Sequence, residues 1–381
     1  MPGRRPVTTT TVRDAASRDL KFQKLADDLR RGILAGDWSP GSKLPTESQL
    51  AQETGLSLTT VRRAFDELVQ QGLVDRRQGA GSFVHTADRH QPRQHRTVGV
   101  LVPTTQLYFP RVLQGIEEAL SAAGAGMQLS TYHYDQAEEH RDLQFLLDSG
   151  VDGLLLVPTL LGIADPQARV DDLMSLPIPA VLLERHAIGA GAADRSEYVC
   201  SDHAGGAHDA VRHLHRLGHT RIALVARSAN PTIEAVTRGF QRAMSDLGLE
   251  CPDALTAPKE QWGEALAADL AGRVVADGMT AALVFGDREA TLIGRAVGQR
   301  GLRIPDDLAL VSYDDETADL AEVPLTAVAP PKFRVGKMAA EVLLRRLIEG
   351  DACPVHQVKL RPRIVIRASC GARVDANTAR S

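Results

Sequence analysis

The chain has 381 residues, 43% hydrophobic and 24% charged, with a formal net charge of −4. This is ordinary for a soluble protein of two or three folded units with a sizeable core. No apolar run approaches the roughly 20 residues of a membrane span, and the basic Met1–Arg5 stretch leads into threonines instead of an apolar segment, which excludes a secretory signal and leaves a cytoplasmic location as the expectation.

The charge is uneven. Residues 1–96 carry 16 Lys and Arg against 11 Asp and Glu, net +5; the remainder carries 28 against 37, net −9. A basic head on an acidic body suits a nucleic-acid module attached to something with another task. The four cysteines (Cys200, Cys251, Cys353 and Cys370) show no CxxC spacing and read as small packing or surface residues, not metal ligands or disulfides.

In chain order, a first helix is predicted from about Asp19 to Ala35, with Phe22, Leu25, Leu29 and Ile33 as its apolar stripe. Asp37-Trp38-Ser39-Pro40-Gly41 follows as a turn. Thr46 and Gln49 form a capping box for a second helix that Gly55 ends, and Ser57 caps a third, with Leu56 and Val61 as its hydrophobic staple. On that helix Val61, Ala64, Phe65 and Leu68 share one face, while Thr59, Arg63 and Asp66 point away and Thr60 and Arg62 lie on the flanks. Val74–Arg77 and Ser82–Val84 read as a hairpin around the Gln78-Gly79-Ala80-Gly81 tip.

Three helices and a hairpin make a winged helix-turn-helix, whose third helix is suited to a DNA major groove. Arg62, Arg63, Arg76 and Arg77 can neutralise phosphates, Thr59 and Thr60 can bond phosphates or base edges, and a glycine-containing wing tip can approach a minor groove. Residues 21–85 resemble the GntR family of bacterial regulators through Ile33-Leu34-Ala35-Gly36, Leu44-Pro45-Thr46-Glu47, Thr59-Thr60-Val61-Arg62 and Gly79-Ala80-Gly81-Ser82-Phe83-Val84. The resemblance implies DNA contacts from Thr59, Thr60, Arg62, Gln78 and Gly79. The full expected DNA-facing set is Ser57, Thr59, Thr60, Arg62, Arg63, Arg77, Gln78 and Gly79. Ser48 and Leu58 stand where members often carry DNA-contacting arginines, and Leu58 is expected near the core flank of its helix. The head is bounded at 20–85, and residues 86–96, polar and without periodicity, form a linker whose basic residues can also touch phosphate.

The body, 97–370, alternates apolar strands (98–102, 153–157, 180–183, 222–226, 282–285 and 308–312) with helical stretches (112–123, 207–217, 238–247 and 290–300). That alternation predicts an α/β fold of doubly wound parallel sheets, with ligands at the carboxyl ends of the strands. The residues after each run include Tyr108, Phe109, Glu184, Arg185, Asp202, Thr232, Asp287, Asp314 and Asp315. Aromatic, hydrogen-bonding and acidic groups together suit a small polar molecule. No nucleophile elbow, phosphate loop or metal motif is present. Glu184 and Asp314 read as a ligand clamp in preference to an acid/base pair. The histidines at 203, 208, 213, 215 and 219 spread over several helix faces, only His208 and His215 sharing one, so no metal or other cofactor is expected.

The body resembles the LacI family's effector domain, itself similar to periplasmic sugar-binding proteins, through phrases such as Val98-Gly99-Val100-Leu101-Val102-Pro103, Gly115-Ile116, Leu183-Glu184-Arg185, Gly239-Phe240 and Tyr313-Asp314-Asp315. This implies two subdomains joined by three crossings, one of about 97–201 and 329–350, the other of about 202–328 and 354–370. It also implies ligand contacts from Tyr108, Phe109, Glu184, Thr232, Trp262 and Asp314, to which the strand-end rule adds Asp287. Val236 stands where many sugar binders carry an Arg, and Gly286 where some carry an Asn. The expected protein is a homodimeric, ligand-responsive regulator, not an enzyme. It would bind double-stranded operator DNA and repress carbohydrate uptake or catabolism genes until a sugar or related polar effector releases it. The alternatives are an activator or co-repressor-type regulator sensing a ligand such as a nucleoside, and a pyridoxal-phosphate fusion enzyme, for which the body shows no lysine site.

Overall fold

The computed structural model describes residues 22–33, 37–39, 41–70, 73–77, 81–84, 96–186 and 194–372. They fall into two units divided between Arg93 and Gln94. In the head, helix α1 (22–33) places Leu25, Ala26 and Leu29 in a core that Phe22 and Ile33 flank. Helix α2 (Glu47–Thr54) starts on the expected capping box and stops at Gly55, whose φ of 66° needs no Cβ. Helix α3 (Leu58–Gln70) buries Val61, Ala64, Phe65 and Leu68 completely, a burial stabilising by about 1.5–3 kcal/mol for each of the larger side chains.

Strands β1 (Val74–Arg77) and β2 (Gly81–Val84) pair antiparallel, Val74 opposite Val84. The segment 41–44, which begins at the last residue of the turn read over 37–41, lies along β2 as well. Val84 N–H donates to Ser42 and Leu44 N–H to Ser82, both at 2.9 Å.

The body opens with β3 (Thr97–Val102), α4 (Phe109–Ala122), β4 (Gly126–Thr131), α5 (Gln136–Asp148), β5 (Gly153–Leu156), α6 (Pro166–Met174), β6 (Ala180–Leu183) and β7 (Tyr198–Ser201). Helix α7 (His203–Arg216) leads into β8 (Ile222–Arg227), α8 (Ile233–Asp246), β9 (Leu255–Ala257), α9 (Glu264–Ala276), β10 (Ala281–Val284), α10 (Asp287–Gly298), β11 (Ala309–Tyr313) and β12 (Thr326–Ala329). Then come α11 (Lys332–Glu349), β13 (Gln357–Leu360) and β14 (Arg363–Val365). Two six-stranded sheets result, ordered β13-β7-β6-β5-β3-β4 and β14-β12-β11-β10-β8-β9, parallel throughout except for β14 against β12.

Each sheet is covered on both faces, which is why its strands are continuous apolar runs. Alternate residues still go to opposite sides: Val98, Val100 and Val102 face one core and Leu101 the other. In the second sheet Ile222, Leu224 and Ala226 face one core, Ala223 and Val225 the other.

The chain crosses between the lobes three times: between β7 and α7, between β12 and α11, and between β13 and β14. One boundary needs correction. Residues 354–370 were expected in the second subdomain, but β13 pairs parallel with β7 in the first, Gln357 opposite Tyr198; only the chain from β14 onward joins the second sheet. The apolar Val358 and Leu360 pack against the first lobe's core.

Gly115, from the Gly115-Ile116 phrase, and Gly336 are close-approach points. A Cβ on Gly115 would lie 2.0 Å from the Phe333 carbonyl oxygen, and one on Gly336 would lie 1.9 Å from that of Val112, so α4 and α11 meet backbone to backbone. Among the described residues no helix is long and apolar enough to cross a membrane.

Candidate functional site

In the head, the cap that starts α3 decides which polar groups remain available. Ser57 Oγ accepts the Thr60 backbone N–H at 3.2 Å and lies 2.8 Å from the Thr60 hydroxyl. Thr60 is buried, so it was expected on the outer flank but is engaged within the cap. Thr59, Arg62 and Arg63 are exposed. Arg62 Nε donates to Glu47 at 2.8 Å. Arg76 donates to Glu47 at 3.0 Å and to Asp66 at 2.6 Å. An acidic bridge from α2 thus orders the cations of α3 and the wing.

Arg63 stacks its guanidinium 4.4 Å from the Phe22 ring centre and Arg77 lies 4.7 Å from that of Phe83, each held by an aromatic face. Gln78 and Gly79 lie outside the described residues, as do linker residues 86–95. Leu58, expected near the core flank, is 46% exposed.

In the body, a cavity of about 600 Å³ opens at the carboxyl ends of the strands of both sheets. Tyr108, Phe109, Glu184, Thr232 and Asp314 line it, as expected from their positions in the sequence. Of the seven non-glycine residues with positive φ among the described residues, six line this cavity: Leu107, His133, Tyr134, Glu184, Ala229 and Asp314. Backbone held in sparsely populated regions is concentrated where a structure serves function over stability.

Glu184 is the best-anchored group of the wall. Its carboxylate accepts from Tyr108 Oη at 2.5 Å, Ser201 N at 2.8 Å and Ser201 Oγ at 2.9 Å, and lies 3.4 Å from His203 Nε2. Burial pushes its pKa up, but His203, the Ser201 N–H and the Tyr108 hydroxyl outweigh burial and hold it at about 2. Burial, then the Glu184 charge, pushes the Tyr108 hydroxyl well above its ordinary range, so it stays a donor. Asp314 behaves oppositely. Burial raises its carboxyl and the Asp287 charge adds to this against Lys332, leaving it at about 6. Lys332 is buried, donates to the Asp314 carbonyl, pairs with Glu316 and sits 5.2 Å from the Tyr108 ring centre.

Two expected ligand residues are elsewhere. Trp262 is buried in the second lobe's core, its indole N–H donating to the Ala257 carbonyl at 3.3 Å. Asp287 is buried too. Its carboxylate accepts from Ser312 Oγ at 2.7 Å and from the N–H groups of Glu316 and Thr317 at 2.6 and 2.9 Å. It anchors the loop that carries Asp314 and does not itself line the cavity.

The sequence reading missed Arg227, the last residue of β8. It lines the cavity 5.6 Å from the Phe285 ring centre, with Glu289 at 3.9 Å, and its buried Nε has no hydrogen-bond partner among the described groups. Its signal was available, because Arg227 directly closes an apolar strand. It supplies a guanidinium donor to the wall, whereas Val236 is buried in the second lobe's core. Gly286 has φ of 105°, and a Cβ there would lie 2.2 Å from the Glu289 carboxylate, which accounts for the missing Asn.

The five histidines meet different neighbours: His203 Glu184, His208 Asp246, His213 Cys370, His215 the His219 carbonyl and His219 Thr280. Among the described residues no group of three or more His, Cys, Asp or Glu is placed to hold a metal.

Known proteins resemble both units of the chain. Residues 21–84 match the bacterial regulatory proteins of the gntR family, and residues 211–370 match the periplasmic binding protein-like domain. The arabinose metabolism transcriptional repressor of Geobacillus stearothermophilus is 29% identical over 92% of this chain and 97% of its own. The ribose operon repressor of Escherichia coli is 26% identical over 86% of this chain and 100% of its own. A crystal structure of a LacI family transcriptional regulator from Enterococcus faecium with bound ribose superposes with a TM-score of 0.58 at 25% identity, covering 72% of this chain and 98% of that one.

Proposed function

Because the chain joins a gntR-family regulatory head to a periplasmic-binding-protein-like effector domain of LacI type, we propose that it is a carbohydrate-responsive transcriptional repressor that leaves its operator when a sugar-class effector fills the cleft. The observation that carries this is the body's cavity. It holds aromatic faces, a low-pKa carboxylate, a raised carboxyl and an unpaired buried guanidinium N–H, the mixed inventory that hydroxyl-rich rings require.

In this reading Thr59 and Arg62 meet operator DNA, with Arg77, Gln78 and Gly79 of the wing beside them. Tyr108, Thr232, Asp314 and Arg227 meet the effector, while Glu184 holds Tyr108 in place. Two copies of the chain bind paired half-sites about one helical turn, or a multiple of it, apart. Effector draws the two lobes together, and that closure changes the geometry of the pair. The names of the arabinose metabolism and ribose operon repressors to which the chain is similar support a carbohydrate in preference to another polar metabolite.

The test is reciprocal coupling. A duplex selected from a random pool by the full chain is followed by fluorescence anisotropy against L-arabinose, D-ribose and cellobiose, and sugar affinity is measured with and without that duplex. The expected result is that a bound sugar weakens duplex binding about 5- to 150-fold and that the duplex weakens sugar binding by the same factor. A sugar that binds with one affinity whether or not duplex is present overturns the proposal.

A further inference from the structure

The cleft continues past the larger cavity. A second cavity of about 370 Å³ shares Glu184, Arg185, His203 and Thr232 with it. The rest of its wall brings Arg238 of α8 together with Lys359 of β13 and His186. Three permanent cations, Arg185, Arg238 and Lys359, therefore converge from both lobes.

Their own protein partners are few. Arg185 donates Nη1 to the Glu184 carbonyl at 2.7 Å, and among the described residues Arg238 and Lys359 have no carboxylate within ion-pair reach. Of the acids on this wall, Glu184 is held by Tyr108, Ser201 and His203, and Asp202 by Arg361 at 2.6 Å. Glu234 is the remaining acid and is exposed. His186 registers the field. Burial, then the Lys359 charge with Arg238 adding to it, lowers its imidazole to about 4 against the opposing Asp194.

With a neutral sugar bound, the exposed Arg238 and Lys359 would face only water and the exposed Glu234, whereas guanidinium and ammonium groups converging on one cavity match a phosphate or carboxylate. We propose that the smaller cavity is an anion subsite and that the effector is an acidic sugar derivative. Its ring occupies the larger cavity and its phosphomonoester or carboxylate is held by Arg185, Arg238 and Lys359. The inference rests on the cleft being the effector site. It also assigns a role to the anion: Arg238 comes from the second lobe and Lys359 from the first, so an anion between them favours the closed body.

Isothermal titration calorimetry on the full chain tests this with matched probes: D-ribose and D-ribose 5-phosphate, D-glucose, D-glucose 6-phosphate and D-glucuronate, and inorganic phosphate alone. The expected result is an acidic member binding about tenfold or more tightly than its neutral parent, with an affinity that falls as salt is raised while the parent's does not. Arg238→Ala combined with Lys359→Ala brings that preference below about twofold, since the charge-assisted bonds are gone. The ranking of phosphate ester against uronic acid identifies the anion.

Neutral sugars that bind as tightly as their acidic derivatives, or a preference that survives the double substitution, overturn the inference and leave the sugar cleft standing. Inorganic phosphate binding as tightly as the ester overturns the sugar-derivative part and reduces the subsite to a bulk anion site. Failure of every probe to bind overturns the cleft reading and the inference together.

Discussion

Replacing Glu184 by Gln isolates the electrostatics that organise the cleft. The carboxylate is buried, sits on a backbone with φ of 55°, and receives the Tyr108 hydroxyl, the Ser201 N–H and hydroxyl, and His203. Burial alone would raise its pKa, yet these partners bring it from the ordinary 4.5 to about 2. A folded value below the unfolded one means the ionised group stabilises the body fully above about pH 4.5, and that this contribution is lost as pH falls toward 2. At about 1.4 kcal/mol per pKa unit the contribution is about 3–4 kcal/mol. Gln keeps the shape but turns an NH₂ group toward donors that need an acceptor.

The Glu184→Gln body is therefore expected to lose about 3–4 kcal/mol at pH 7, and the gap should shrink by roughly half near pH 3, where the native chain is losing the same contribution. Urea unfolding, with the buried Trp262 indole reporting the body and Trp38 the head, measures both values. A gap independent of pH, or one under about 0.5 kcal/mol at pH 7, the size of an ordinary surface substitution, would refute the reasoning.

Gly336→Ala drives a Cβ to 1.9 Å from the Val112 carbonyl oxygen, so the body should lose about 1–3 kcal/mol in urea unfolding, whereas Gly162→Ala, open on all sides though at φ of 76°, should show only the smaller cost of its backbone. Arg62→Ala should weaken duplex binding and lower the slope of log affinity against log salt by about 1; Arg63→Ala, which removes a guanidinium stacked on Phe22, should cost head stability and leave that slope nearly intact, and equal slope changes would sink the distinction. For Asp314, with its carboxyl raised to about 6 mainly by burial, the folded body holds the proton more tightly than the unfolded chain, so this group's effect on stability turns unfavourable as pH rises from about 4 to about 6. An effector donating hydroxyls to the ionised carboxylate should bind more tightly at pH 7 than at pH 5, and Asp314→Asn should remove that step in calorimetric titrations; a step that survives the substitution belongs to another group.

Much of the site was legible because strand ends can be read from apolar runs. Tyr108, Glu184, Thr232 and Asp314 all follow such runs and all reach the cavity. Where the reading failed, side-chain direction was the reason. Trp262 and Asp287 stand at plausible positions, but the indole is drawn into apolar packing and the Asp287 carboxylate into three donors of a neighbouring loop. Thr60 carries a hydroxyl at an outward-looking flank, yet the Ser57 cap three residues earlier takes it. Arg227 was passed over although it closes a strand as plainly as the others.

The sequence by itself determined the elements and their buried faces. Helical spacing placed Val61, Ala64, Phe65 and Leu68 inward, and apolar runs marked parallel strands covered on both sides, because burial is a periodic property written locally along the chain. Tertiary structure alone decided which polar groups meet. His203 begins the second lobe yet bonds to Glu184 of the first, β13 returns to pair with β7, and Lys359 arrives beside Arg185 and Arg238. Those meetings depend on three crossings between lobes and on loop dihedrals such as the positive φ at Glu184 and Asp314, and no local periodicity encodes either.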